Sequence, residues 1–362
     1  MRPSGSVRLL HLRSLRRLLL ALVPVFLCCL LLVNGSERVG QSLSAHGLAV
    51  PLLATPTPPW PNDGATDHSI VSTGCGRVDP VSPGATAEQS AAVNPATNEG
   101  FSSRTYWIHV PQGYTPSRLT ALVLVFHGGG GTGSGAAASS GWSPFADQHN
   151  ILVVYPQGLP FSALGPGYTS WAATGPLDTL ANGVDDLLFV SNLLDALQRL
   201  YCIDPQRIYA TGFSAGGGMT SFLTCGLTGR IAAFAPMSGD AYQFQGGCYP
   251  QHPTSIIEFH GAADPFELYA GIPAREDPDW RRIGVMEWLT TWAARDGCAT
   301  GPNTFIQEAL VLAQQWTDCR DGTAIVHYRI TGLGHAGPPP IDGRSALDIM
   351  WSFFQTHPLP TT

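Results

Sequence analysis

Lysine is missing from this sequence, and charged residues of any kind are few. All 19 basic residues are arginines, and charged residues make up 12% of the 362 positions. The absence of lysine excludes mechanisms that need a lysine Schiff base or the lysine of a P-loop. Because the net charge is −7, there is no electrostatic reason to expect a nucleic-acid partner.

Metal-binding patterns are also lacking, although the chain has eight cysteines. No Cys-x-x-Cys pair and no Cys/His cluster has zinc-ligand spacing, so we expect no metal site and no cofactor. Cys28 and Cys29 lie in an apolar run without the small residues that precede a lipidated cysteine. The disulfide candidates are Cys75, Cys202, Cys225, Cys248, Cys298 and Cys319. Pairing the cysteines that are nearest in sequence favours Cys225–Cys248 and Cys298–Cys319, which leaves Cys75–Cys202.

The N-terminal region has the pattern of an export signal. Arginines up to Arg17 precede an apolar run from Leu18 to Val33, and Gly35 suits a signal peptidase. We therefore predict a signal peptide over residues 1–35, secretion, and no stable membrane partner after cleavage. The alternative is an uncleaved membrane anchor, but the run is shorter than the roughly 20 residues of a membrane span.

The rest of the chain is predicted to contain a linker and one folded domain. Residues 36–73 are rich in proline, which is typical of an extended or disordered linker. Residues 74–359 alternate apolar runs such as "ALVLVFHG" with amphipathic helical patterns. Unbroken apolar runs suit strands that are covered on both faces. The expected class is α/β, with a mostly parallel central sheet and helices on both faces. We expect a monomer without an appended carbohydrate- or polyester-binding domain.

One pentapeptide predicts a nucleophile. Residues 212–216 read Gly-Phe-Ser-Ala-Gly and match G-x-S-x-G, the turn that places a serine between a strand and a helix. The glycines leave room for the backbone to turn sharply. The apolar "RIYAT" before the motif and the helical pattern after it supply the expected context. Ser214 is therefore the candidate nucleophile.

A serine needs a base and an acid, which in this architecture follow it in the chain. His335 lies in the glycine- and proline-rich "TGLGHAGPPP" after the last predicted strand, so it is the candidate base. Asp264 directly follows "SIIEFHG" and could orient the histidine, and Asp240 is the rival. His327 sits in the middle of a predicted strand, and His260 comes before any suitable acid.

Developing negative charge on the substrate requires backbone donors. One expected donor is the N–H of Ala215, directly after the nucleophile. The other should come from "VFHGGGGTG", with Gly129 as the first choice and Gly128 and Gly130 close behind. A phosphate-binding loop is the alternative, but the run lacks both the G-x-G-x-x-G frame and a lysine. His127 is expected to be structural.

The segments "LVLVFHGGGGTG", "YCIDPQRIYATGFSAGGGM", "IIEFHGAADP" and "GLGHAG" occur in the order typical of one family. The chain resembles secreted esterases of the polyhydroxybutyrate depolymerase and feruloyl esterase group. The resemblance implies an α/β-hydrolase with a Ser-Asp-His triad at Ser214, Asp264 and His335, and an oxyanion segment at 127–130. One departure concerns the residues after the histidine, where many relatives have an aromatic and this chain has Ala336, Gly337 and prolines.

The residues thus predict a secreted serine esterase that acts on polymeric or small esters, and the resemblance implies the feruloyl esterase type. The alternative is a polyhydroxybutyrate depolymerase. Lesser alternatives are an exported serine peptidase and a non-catalytic binding protein. Tyr168 and Trp171 lie in a long loop after a strand and could stack on a substrate, or could instead be partly buried loop anchors.

Overall fold

The computed structural model describes residues 72–98, 100–160, 167–172, 184–239, 248–272 and 282–360. The predicted signal peptide, residues 36–71 of the predicted linker, and the rival acid Asp240 lie outside these ranges. The division into signal, linker and catalytic domain therefore stays a prediction. None of the helices in the described ranges is both long and apolar enough to span a bilayer.

A large mixed sheet forms the centre of the described structure. The strands are β1 (Thr86–Ala92), β2 (Ser103–His109), β3 (Thr120–Phe126), β4 (Leu152–Pro156), β5 (Leu159–Pro160), β6 (Thr169–Ser170), β7 (Ile203–Phe213), β8 (Ala233–Met237), β9 (Ser255–Gly261), β10 (Thr300–Gln307), β11 (Val311–Thr317) and β12 (Ile325–Ile330). Within the described residues, ten of them pair in the order β1-β2-β4-β3-β7-β8-β9-β12-β11-β10, and β5 pairs only with β6.

The strands from β4 to β12 in that order run parallel, and the strands outside them are antiparallel. Every residue of β3 is buried, as is every residue of β4 and β9. This explains their unbroken apolar sequences, because a central parallel strand is covered on both faces. At the two edges, β1 alternates in exposure and β10 is largely exposed.

Helices cover both faces of the sheet. They are α1 (Gly133–Ser139), α2 (Trp142–His149), α3 (Asp186–Leu200), α4 (Ala215–Leu223), α5 (Val285–Asp296) and α6 (Ala346–Thr356). On one face, α3 and α4 pack against alternate residues of β3, including Leu122 and Leu124. On the other face, α2 and α6 pack against Val123 and Val125. The structure confirms the predicted α/β class with a mostly parallel sheet and helices on both faces.

Three disulfides join the cysteines in the predicted pairs: Cys75–Cys202, Cys225–Cys248 and Cys298–Cys319. The first ties the start of the described chain to the residue before β7. The second joins the end of α4 to a residue beyond β8, and the third joins the end of α5 to the end of β11. Structural disulfides persist in oxidising compartments, so the pairing indicates an extracytoplasmic protein.

Candidate active site

Ser214 lies at a sharp turn between β7 and α4. Its backbone has φ 57° and ψ −124°, a conformation that non-glycine residues rarely adopt. The Ser214 N–H donates to the carbonyl of Met237 at 2.9 Å, which ties the turn to the end of β8. The side chain is half-buried. A strained residue of this kind at a strand–helix junction is the geometry that G-x-S-x-G predicts.

Glycines surround this turn because other residues would collide there. A Cβ on Gly212 would lie 2.3 Å from the carbonyl oxygen of Gly216, and one on Gly216 would lie 2.1 Å from that of Phe126. These contacts explain both glycines of the motif. Gly239 is equally constrained, since its Cβ would lie 2.0 Å from the Ser214 carbonyl oxygen. Sequence reasoning did not single out Gly239, because the constraint arises between separate elements.

The structure brings Asp264 and His335 together. Asp264 follows β9, His335 follows β12, and these neighbouring parallel strands deliver both loops to one edge of the sheet. The Ala263 N–H donates to the Leu333 carbonyl at 2.9 Å and joins the two loops. Asp264 Oδ2 lies 2.7 Å from His335 Nδ1. This contact fixes the orientation of the imidazole ring and directs Nε2 away from the carboxylate.

The Asp264 carboxylate is buried and fully satisfied. Its Oδ1 accepts hydrogen bonds from the N–H groups of Phe266 and Glu267, both at 2.9 Å. Burial raises the pKa of Asp264, but the hydrogen bonds from His335 and from these two amides outweigh it, so that the net pKa is lowered. The carboxylate therefore stays ionised and can accept the Nδ1 proton of His335.

The His335 ring lies beside the nucleophile turn. Its centroid is 4.7 Å from that of Phe213 and 5.3 Å from that of Phe266, so the imidazole sits between two aromatic rings. No hydrogen bond joins Ser214 Oγ to His335 within the described parts of the chain. Catalytic hydrogen bonds are often long or poorly aligned in unliganded enzymes and tighten when substrate binds. The roles of these residues thus remain predictions that the geometry favours.

The glycine run after β3 passes beside Ser214. A Cβ on Gly128 would lie 3.5 Å from Ser214 Cβ, and one on Gly129 would lie 3.7 Å from Ala215 Cβ. The Gly130 N–H already donates to the Thr169 carbonyl at 2.8 Å. Its amide is therefore not available to a substrate, which leaves Gly129 and Gly128 as candidates for the second donor. The proximity of Gly129 to Ala215 favours Gly129.

His127 fixes the conformation of this glycine run. Its Nε2 accepts the Gly158 N–H at 2.9 Å, so the proton is on Nδ1, which donates to the Gly128 carbonyl at 2.8 Å. Burial lowers the pKa of His127 and favours this neutral form. With both ring nitrogens occupied by the backbone, His127 is structural, as the sequence predicted.

The prediction that Trp171 stacks on the substrate is wrong. The residue is 0% exposed, and its indole N–H donates to the His127 carbonyl at 2.9 Å. Its ring packs edge-on against Phe126. A side chain without solvent access cannot contact a substrate, so Trp171 supports the oxyanion segment from behind. Tyr168 is half-buried, and its hydroxyl lies over Gly129, where it remains a candidate for substrate contact.

Sequence reasoning missed a buried ion pair behind the same segment. Arg104 on β2 binds Asp186 at the start of α3, and both side chains are about as buried as the core. Arg104 also donates to the Gln157 carbonyl at 3.0 Å, and Asp186 accepts the Ala172 N–H at 2.7 Å. The sequence did contain a sign that Asp186 is buried. Asp186 lies on the apolar stripe of α3, four residues before the buried Val190.

Comparison with known proteins shows which proteins this chain resembles. No protein-family model matches the chain. It is 30% identical over 260 residues to feruloyl esterase B from Piromyces equi, covering 70% of this chain and 45% of that protein. It is 31% identical over 135 residues to poly(3-hydroxyalkanoate) depolymerase C from Paucimonas lemoignei, covering 37% of this chain and 31% of that protein. The chain thus spans less than half the length of either relative.

A solved structure extends the comparison to the fold. Acetyl xylan esterase from Aspergillus awamori superposes with a TM-score of 0.53 at 18% identity, over 75% of this chain and 99% of that one. At this identity the superposition establishes the shared fold. The chain therefore has the α/β-hydrolase fold and is similar in sequence to a feruloyl esterase and to a poly(3-hydroxyalkanoate) depolymerase.

Proposed function

We propose that this chain is a secreted serine esterase that hydrolyses carboxylic esters of polymers, of feruloyl esterase type. The observation that carries the proposal is the Asp264–His335 pair at 2.7 Å, held beside the strained turn of Ser214. A Cβ on Gly129 would lie 3.7 Å from Ala215 Cβ, and in this proposal the amides of both residues face the same reacting oxygen.

The reaction follows from these positions. Ser214 Oγ attacks the ester carbonyl while His335 Nε2 accepts its proton, and Asp264 stabilises the imidazolium that forms. The amides of Ala215 and Gly129 bind the oxyanion. Its collapse expels the alcohol, which takes the proton from His335. Water then attacks the acyl-enzyme with His335 as the base, and the carboxylic acid leaves with Ser214 restored.

Substrate class rests on the relatives and on the aromatic rings at the site. Tyr168 lies over the oxyanion segment, and Phe266, which is 67% exposed, lies edge-on to His335. A half-buried ring over the oxyanion segment and an exposed ring against the candidate base suit a planar aromatic acyl group. A hydroxyalkanoate polyester is the second candidate, since one relative is a poly(3-hydroxyalkanoate) depolymerase.

Export completes the proposal. The basic and apolar N-terminus would act as a signal peptide and be removed near residue 35, releasing a monomer that forms its three disulfides outside the cytoplasm. The intact mass of the exported protein tests the cleavage position, and sedimentation velocity tests the monomer. An exported protein that retains residues 1–35 would show an anchor instead.

The decisive experiment is labelling with a fluorophosphonate probe, followed by a substrate panel. The native protein should be labelled and Ser214→Ala should not, while Ser221→Ala, a buried serine of α4, should behave as the native protein does. Absence of labelling in the native protein would favour the non-catalytic alternative. The panel compares methyl ferulate, nitrophenyl acetate, a hydroxybutyrate oligomer and a peptide amide. Fastest turnover of the oligomer or the amide would overturn the feruloyl assignment.

A further inference from the structure

A second carboxylate–histidine cluster lies inside the sheet, on the strand that carries the candidate acid. Glu258 on β9 is 0% exposed. Its Oε1 lies 3.0 Å from His260 Nδ1, and its Oε2 lies 2.5 Å from His327 Nδ1 on β12. His327 Nε2 in turn bonds to the Tyr269 hydroxyl at 2.8 Å. The reaction proposed above uses none of these groups.

This cluster is connected to Asp264 through a single residue. His260 Nε2 lies 2.7 Å from the carbonyl oxygen of Glu267, and the N–H of Glu267 donates to Asp264 Oδ1 at 2.9 Å. The same peptide segment therefore binds His260 on one side and the candidate catalytic carboxylate on the other. A displacement of the Glu267 backbone would remove a hydrogen bond from Asp264 and change its position relative to His335.

The partners of His260 also fix its protonation. The carbonyl of Glu267 can only accept, so Nε2 carries a proton. Burial raises the pKa of Glu258, but the charges and hydrogen bonds of His327 and His260 outweigh it and lower the net pKa. An ionised carboxylate also accepts, so Nδ1 of His260 carries a proton as well. His260 is thus an imidazolium whose two N–H groups bridge the carboxylate and the loop.

We propose that Glu258 and His260 are positioning residues for the active site, with His260 holding the Asp264–Glu267 turn through the Glu267 carbonyl. The inference rests on the proposed function, because Asp264 matters only if it orients His335. Stability by itself does not explain the cluster. A buried ion pair is commonly no more stabilising than apolar residues of the same volume.

Two variants of His260 separate the two contacts. The side-chain amide nitrogen of His260→Gln reaches the place of Nε2 and can still donate to Glu267. The amide of His260→Asn reaches only the place of Nδ1. With nitrophenyl acetate, we expect kcat of His260→Asn to fall about tenfold, the effect of one lost hydrogen bond near a charged group. We expect His260→Gln to stay within about threefold of wild type, with KM unchanged in both.

The His335 Nδ1 proton resonance provides a second readout, assigned by its loss in His335→Ala. It should move in His260→Asn and stay in place in His260→Gln. Equal kcat in the two variants, or losses of kcat that follow only the melting temperature, would overturn the inference. If His260→Asn does not fold, Glu258→Gln takes its place: an unchanged kcat and an unmoved resonance would overturn the inference, and a lowered kcat with a shifted resonance would support it.

Asp264→Asn separates this inference from the proposed function. If that variant keeps full activity, the assignment of Asp264 as the acid fails. If it is inactive while the two His260 variants match each other, the assignment stands and only the positioning inference fails.

Discussion

The neighbouring strands β9 and β12, with the loops that follow them, carry two carboxylate–histidine arrangements that differ in what surrounds them. The pair of Asp264 and His335 lies at the edge of the sheet, where the His335 side chain is 16% exposed. The cluster of Glu258, His260 and His327 lies inside, with side chains between 0% and 2% exposed. The same functional groups therefore meet solvent in one place and the protein core in the other.

The two arrangements also differ in how the histidine nitrogens are used. Both nitrogens of His260 and of His327 have protein partners. Within the described ranges, His335 has a hydrogen-bond partner only for Nδ1, so its Nε2 is available for a reacting group. A histidine with one nitrogen held and one available can transfer a proton. His260 and His327 are buried and bond through both nitrogens to protein groups, so they offer no nitrogen to a substrate.

The largest expected effect is the loss of activity on substitution of Asp264 in the Asp264–His335 pair. Asp264→Asn places an amide where Nδ1 of His335 needs an acceptor, which favours the wrong tautomer. We expect kcat to fall by about 10⁴ with little change in melting temperature. Steady-state kinetics and thermal unfolding measure the two quantities. A kcat within tenfold of wild type would remove the distinction between the two arrangements.

At the buried cluster we expect a large loss of stability and a smaller loss of activity. Glu258→Gln removes the charge that pairs with two histidines, so we expect the free energy of unfolding at pH 7 to fall by about 3 kcal/mol. We expect its kcat to fall far less than that of Asp264→Asn. Urea denaturation at 25 °C measures the stability.

The acid side of the stability profile sharpens this prediction. Because the folded pKa of Glu258 is lowered, its contribution is present at neutral pH and is lost as the pH falls through the folded pKa. The difference in stability between wild type and Glu258→Gln should therefore shrink in acid. A difference that is constant from pH 7 to acid would contradict the assignment.

Asp296 at the end of α5 is a third buried carboxylate. It shows how burial changes the pKa of a carboxylate that has no histidine partner among the causes of its shift. Burial raises its pKa to about 6, although the Thr254 N–H and two arginines oppose this. A raised folded pKa gives stability that is full in acid and is lost as the pH rises through 6. Asp296→Asn should therefore raise the free energy of unfolding by about 2 kcal/mol at pH 8, and by close to zero at pH 4.

The exposed Asp318, which follows β11, supplies the matched control. Asp318→Asn removes the same charge at an exposed position, so it controls for the effect of the charge change without burial. Chemical denaturation of both variants at pH 4 and pH 8 makes the comparison. A destabilised Asp296→Asn at pH 8 would show that the ionised carboxylate is stabilising.

The smallest expected effect lies behind the oxyanion segment. Trp171→Phe removes the N–H that donates to the His127 carbonyl, and we expect kcat/KM to fall about fivefold, as for one neutral hydrogen bond. Trp292→Phe, equally buried in α5 and packed in a separate cluster, should leave kcat/KM unchanged. Equal effects in the two variants would show that Trp171 acts only through general packing.

The contrast between the two clusters also shows what sequence patterns can predict. Local patterns identified Ser214, because the turn it occupies imposes glycines two residues before and after it. Asp264 and His335 were predicted because parallel strands end at one edge, and both residues follow strands. Glu258 and His327 are register partners on β9 and β12. Their contact depends on which strands pair, and no local pattern states that.

Trp171 is a loop residue whose contacts local sequence patterns also did not predict. An aromatic residue in a glycine- and proline-rich segment has the same sequence signature whether it faces solvent or the core. Its burial depends on the closure of this loop over His127, which involves residues more than forty positions apart. The candidate role of Trp171 in substrate contact was therefore wrong, and its burial agrees with the alternative of a loop anchor.

The sequence by itself determined the fold class, the three disulfide pairs, and the positions of Ser214, Asp264 and His335 at strand ends. Each of these follows from local chemistry: apolar runs, short loops, and residue types that a sharp turn requires. Tertiary structure alone decided that Trp171 is buried, that Arg104 meets Asp186, and that Glu258 joins two histidines beneath the candidate acid. These are contacts between distant segments, and they form because buried polar groups must find partners wherever the chain brings them together.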